Sequence, residues 1–177
     1  EGYSKMQKTA PIEKLVREKT LAALRPGQVI SNDECSEDHS TGKNAEGVAK
    51  SFIKDKPKKW ATRVQSFNEL DGTRITWEVL NLPKREKAEW GETWASTMRL
   101  ARDVHTAYGE GFQLASDSAY HSPILLYDLA KDLKWTGSGT VSWNRRGMHQ
   151  DADTKEAAFE GVQRGESKQW MASAQVA

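Results

Sequence analysis

"WATRVQSFNELDGTRITWEVLNL", residues 60–82, decides the fold. Asp71-Gly72 is a dipeptide favoured in tight hairpin turns, where the central positions need φ > 0. On the second arm Ile75, Trp77 and Val79 alternate with Arg74, Thr76 and Glu78. One face of that arm is therefore expected to be buried and the other wet, as in an antiparallel sheet covered on one side. Leu82-Pro83 ends the pattern. The stretch predicts a β-hairpin.

Working towards the N-terminus, Asn44 can cap a helix in which Val48, Ala49, Phe52 and Ile53 share a face and which Pro57 ends. The preceding "SNDECSEDHSTGKN", residues 31–44, is rich in turn formers and reads as a loop after a short "QVI" strand. Before that, Ile12, Leu15, Val16, Ala22 and Ala23 fall on one helical stripe, with Pro11 in the first turn and Pro26-Gly27 as the stop. Residues 1–8 are polar and are expected to form a disordered N-terminal segment. Residues 9–177 then make a single α+β domain.

Towards the C-terminus a helix is expected over about residues 86–108. Trp90, Trp94, Met98, Ala101, Val104 and Tyr108 recur there at three- and four-residue steps. "GEG" (109–111) terminates it, "FQLA" follows as a strand, and Ser122-Pro123 opens a helix carrying Leu125, Leu129 and Leu133. "GSGTVSW" is a further strand, and a last helix starts at Asp153 with Glu156 completing a capping box. Interspersed helices and strands around a local hairpin give an α+β class. The expected architecture is an antiparallel sheet built around the hairpin at about 60–82, with helices packed on one face.

Composition narrows the function classes. Lys and Arg number 26 against 25 Asp and Glu, so the chain lacks the overall positive charge of a strongly basic nucleic-acid binder. Cys35 is the single cysteine, which excludes an intramolecular disulfide and a multi-cysteine zinc site. A lone thiol slightly favours a reducing, intracellular compartment. No apolar run approaches the roughly 18 residues that span a bilayer. The chain starts at Glu1 and not at Met, so its N-terminus is expected to be processed.

Gly42-Lys43 resembles part of a phosphate loop, but Glu37 stands where the first glycine belongs and Asn44 replaces the Ser or Thr. It is read as a solvated loop. "DECSEDH" offers Asp33, Glu34, Glu37, Asp38, Cys35 and His39, yet it lacks the alternation and central glycine of a calcium loop. Those acids also keep Cys35 protonated, against the needs of a nucleophile. His105, two residues after Asp103 on a helix, faces a different direction from it. No catalytic residue, metal site or cofactor is assigned.

Binding is the remaining class. Seven tryptophans exceed what a core of this size needs, and Trp and Arg anchor interfaces. Trp60, Trp135 and Trp170 lie at element ends and are the candidate interface of a non-enzymatic assembly module, a subunit or accessory protein that meets a protein partner or forms a homo-oligomer. The alternative is nucleic-acid binding through the basic-aromatic segment 50–63. There Lys54, Lys56, Lys58, Lys59 and Arg63 surround Trp60, and Arg145 and Arg146 join them from "WNRRG". A third alternative is an enzyme or small-ligand site near residues 143–153, where His149, Asp151 and Asp153 accompany the two arginines.

Overall fold

The structure, a computed structural model of the chain, describes residues 5–38, 51–52, 54, 60–80 and 90–142. Helix α1 (Lys5–Ala23) leads into β1 (Val29–Asp38), the two-residue β2 (Ser51–Phe52), β3 (Trp60–Asn68) and β4 (Arg74–Val79). Helix α2 (Glu92–Tyr108), β5 (Gln113–Ser116), α3 (Pro123–Asp128), which continues as a π-turn over Leu129–Leu133, and β6 (Thr136–Gly139) follow. The class is α+β. Lys5–Lys8, expected to be disordered, are already helical, and Pro11 lies inside α1 and not in its first turn. The expected helix from Asp153 lies outside the described residues.

The hairpin forms as expected from residues 60–79, although its connection spans Glu69–Thr73. Glu69 N–H donates to Thr73 O at 2.8 Å, and Gly72 takes φ 87°. Beyond the turn the chain holds one extra residue. Asn68 pairs with Arg74 and Phe67 with Thr76, leaving Ile75 bulged and fully buried beside Phe67 in the core. A bulge shifts the phase of a strand by one, which moves every later side chain to the other face. The expected alternation is thereby corrected. Thr76 and Glu78 turn to the helix-covered face, while Trp77 and Val79 are half-buried. Glu78 is tolerated there because Ser96 Oγ donates to it at 2.9 Å and Arg99 Nε at 3.0 Å.

The sheet runs β2-β3-β1-β5-β6, with β4 also on β3. β1 pairs antiparallel with β3 from Ser31↔Asn68 to Asp38↔Ala61, and parallel with β5 from Val29↔Gln113 to Asn32↔Ser116. β6 extends the parallel half. Two expectations are corrected here. Residues 31–38 are strand and not loop, because eight backbone pairs with β3 override their turn-forming composition. Phe52 lies in β2 and not in a helix, its ring edge-on to Trp60 with centroids 5.3 Å apart.

Register puts Ile30, Phe67 and Leu114 on one face, and one core cluster unites them with α2 and α3. From α1 and its C-terminal end, Leu21 and Leu24 reach that cluster, whereas Ile12, 65% exposed, and Leu15 and Val16 stay outside it. Gly109, at φ 92°, stops α2, and Ser122 Oγ accepts Leu125 N–H at 3.2 Å to cap α3. Both ends lie where the sequence places them. Trp135 fills the centre, 1% exposed, its ring 5.0 Å from Phe112. At the end of β6, a Cβ on Gly139 would lie 2.0 Å from Ser116 O, so only glycine allows this close parallel pairing.

Trp135→Ala should cost about 3–5 kcal/mol of stability, as other buried tryptophans do. Trp90→Ala, at a turn where the side chain is 38% exposed, should cost under about 1 kcal/mol. Urea denaturation of both variants measures the contrast; equal midpoints would contradict this core.

Candidate functional site

Chain order in the sheet reverses at β1. From there the strands β3 and β4 build outward on one side, and the chain then crosses back to place β5 on the other. In open sheets with parallel strands, ligands gather at the carboxyl ends of the strands flanking such a switch point. Asn32↔Ser116 is the last pair between β1 and β5. The next residue in each segment is an aspartate, Asp33 within β1 and Asp117 just after β5, and both are exposed.

Local bonds orient each carboxylate. Asp33 Oδ1 accepts Glu34 N–H at 2.7 Å, and Asp117 Oδ1 accepts Ala119 N–H at 2.9 Å. Asp117 O also accepts Tyr120 N–H at 3.2 Å and His121 N–H at 3.0 Å, closing a tight turn. Tyr120 then reaches across to β1 and donates its hydroxyl to Glu34 Oε2 at 2.8 Å. Arg63 of β3 pairs with the same Glu34 oxygen. The neighbours of the two aspartates are thus tied together. Burial, then the bond to the Glu34 carboxylate, pushes the Tyr120 hydroxyl well above the ordinary tyrosine range. Its bond to Glu34 raises Arg63 further. Both therefore stay protonated at neutral pH.

His121 is 2% exposed, and its Nδ1 lies 2.8 Å from Ser116 Oγ. Burial lowers its pKa from the ordinary histidine value. Deeper in the sheet, Gln65 Nε2 donates to Asn32 Oδ1 at 2.9 Å and to Thr97 Oγ1 at 2.7 Å, locking β1, β3 and α2 beneath the aspartates. On the opposite face Asp33 lines a shallow open depression with Cys35, Asn68 and Arg74, whose guanidinium donates to Cys35 Sγ at 3.1 Å. Among the described residues no three His, Cys, Asp or Glu side chains enclose an ion. Asp33 and Asp117 are each exposed carboxylates, hard oxygen donors of the type that Mg²⁺ uses together with phosphate oxygens.

The interface candidates fare unequally. Trp135 is a core residue and not an interface anchor, because α2, the 109–112 turn and the π-turn enclose it, with Nε1 donating to Gly109 O at 3.4 Å. Trp60 is half-buried against Phe52, and Trp170 lies outside the described residues. Of the nucleic-acid candidates Lys54 is exposed and Arg63 is engaged by Glu34; Lys56, Lys58, Lys59, Arg145 and Arg146 lie outside the described residues, as do Gly42-Lys43 and residues 143–153. The structure does not bring Asp103 and His105 together: Asp103 meets Arg17 at 3.7 Å, and burial raises its carboxyl above the ordinary value.

In the sequence Asp33 is one of several acids in a turn-rich stretch, and nothing local distinguishes Asp117. The signal was a shared pattern, "VISND" and "QLASD", in which a short apolar strand ends in a small polar residue and then an acid. That pattern gains meaning only once the two strands are known to be parallel neighbours.

No family model matches the chain, and no curated protein matches it. Among solved structures, the fold is similar to that of a chain in the cryo-EM structure of the piggyBac transposase synaptic complex with hairpin DNA. The TM-score is 0.68 at 18% identity, over 80% of this chain and 28% of that one. The likeness is one of fold, and this chain corresponds to little more than a quarter of the transposase chain.

Buried His121 makes stability depend on pH. Unfolded histidine takes its proton near about 6.5, and burial holds folded His121 below that value. Between the two values the unfolded state binds more protons, so stability falls as pH drops through this window. Asp103, with its raised carboxyl, acts in the opposite sense at lower pH. In paired urea titrations of wild type and His121→Gln, the wild-type advantage should shrink from about pH 7.5 to about pH 5.5. A constant advantage would refute the buried neutral imidazole.

Proposed function

We propose that this chain is a DNA-binding domain of transposase type, in which Asp33 and Asp117 hold a divalent cation against a DNA phosphate. The observation behind the proposal is the β1–β5 register, whose last pair, Asn32↔Ser116, is followed in each segment by an exposed aspartate. The fold likeness to a transposase from a DNA complex supports the same reading. Two carboxylates leave most of a cation's shell to water and phosphate oxygens, which suits a site that takes a phosphate and not a closed structural ion. A cation bound there would polarise a phosphoryl oxygen, so the chemistry in reach is phosphoryl transfer on the DNA backbone.

The chain's own residues do the positioning. Glu34 and Tyr120 hold the Asp117 turn onto β1, and Arg63 balances the charge of Glu34 beside the pair. The basic sequence from Lys54 to Lys59 would supply the phosphate contacts that a near-neutral chain needs if it is to approach an acidic polymer.

Retention on duplex DNA should fall steeply with salt, and Lys58→Glu/Lys59→Glu should weaken it. Mg²⁺ should tighten wild-type binding, and Asp33→Asn or Asp117→Asn should each remove that increment while leaving cation-free binding in place. Fluorescence anisotropy on labelled duplexes reads each effect. No binding at low salt, or a Mg²⁺ increment that survives both substitutions, would refute the proposal.

A second reading, a protein-assembly role, is favoured by Ile12, Leu15 and Val16, a stripe of exposed apolar side chains on α1. Contiguous apolar surface of this kind marks interaction sites. If it operates, Ile12→Lys/Leu15→Lys should dissociate any oligomer seen by sedimentation without loss of helicity. An oligomer unchanged by the substitutions would exclude this stripe.

A further inference from the structure

Beside the Asp117 turn lies a cavity of about 210 Å³, between residues 90–94 and residues 119–124. Trp90, Trp94, Tyr120, His121 and Ile124 are among the residues that line it. Trp94 is fixed by its indole N–H, which donates to Asp128 Oδ2 at 2.9 Å. Trp90 sits on the turn before α2 with its side chain 38% exposed. His121 is almost wholly buried and held through Nδ1 by Ser116. Its other ring nitrogen makes no hydrogen bond among the described residues. Gly91, which also lines the cavity, precedes α2 as its N-cap and offers no side-chain cap, so the positive end of the helix dipole lies at the same rim.

The dimensions and chemistry select one kind of occupant. A cavity of about 150 Å³ takes a benzene ring, whereas pockets for drug-sized ligands start at roughly 300 Å³. About 210 Å³ therefore suits a single ring system. Indole walls favour a flat aromatic one, and a half-bonded imidazole in the wall favours one with a polar edge. Tyr120 and His121, which line the cavity, are the residues whose backbone N–H groups bond Asp117 O. An occupant would therefore sit within one turn of the proposed phosphate site.

We propose that this cavity receives one nucleobase turned out of the DNA stack, its face on Trp90 and its edge at the free ring nitrogen of His121. The inference rests on the DNA-binding reading and adds a base site to it. Enzymes acting on DNA turn a base out most readily where it is mispaired or unpaired, because the stacking and pairing that must be given up are least there. Stacking on an aromatic side chain then discriminates little among the four bases.

The experiment compares anisotropy titrations of the full chain with two duplexes, one fully matched and one carrying a single unpaired base. Wild type should prefer the second by about ten-fold, the scale of one base–aromatic stack. Trp90→Ala should abolish the preference and leave matched-duplex affinity unchanged, and Trp90→Phe should restore part of it. Equal wild-type affinities, or a preference that survives Trp90→Ala, would overturn the base site while DNA binding stands. Failure to bind either duplex would overturn the DNA-binding reading and the base site with it.

Discussion

Strand β1 is held from both sides by neighbours of opposite polarity, and the rest of the molecule depends on that pairing. On one side β3 runs antiparallel along eight residues; on the other β5 runs parallel along four. The antiparallel side needs only a local return of the chain. A parallel neighbour needs a crossover, here through α2, and that crossover covers one face of the sheet with helix. Ile30, Phe67 and Leu114 face it and make the core.

Polar groups complete this arrangement where apolar packing stops. Asn32, Gln65 and Thr97 form a buried chain of hydrogen bonds between β1, β3 and α2. Glu78, turned inward by the bulge at Ile75, is matched by Ser96 and Arg99. Paired in this way, buried polar groups specify a register that hydrophobic contacts alone would leave looser. The same logic continues outward to Glu34, which engages Arg63 and Tyr120 together and so joins the two strands that carry the aspartates.

The candidate site is a consequence of these layers. Asp33 and Asp117 come from segments 84 residues apart, and neither is unusual in its own stretch of chain. The cavity between Trp90 and His121 likewise joins the start of α2 to the turn after β5. Both features lie just past the last pair of β1 with β5, beside the point where the chain order reverses and connections diverge.

Local chemistry carried the parts of the fold that were legible in the sequence. Asp71-Gly72 marked the hairpin connection, Gly109 the end of α2, and Ser122-Pro123 the start of α3, because turns and caps depend on residues a few positions apart. Leu125, Leu129 and Leu133 were likewise readable as one buried stripe. Tertiary structure alone decided that the acidic residues 33–38 form strand, that Thr76 and Glu78 face inward, that Trp135 is core, and that an aspartate follows the last pair of two parallel neighbours on each side. The reason is physical. Strand pairing is made by backbone N–H and C=O groups that every residue but proline shares, so a long-range register leaves almost no mark on the side chains that compose it.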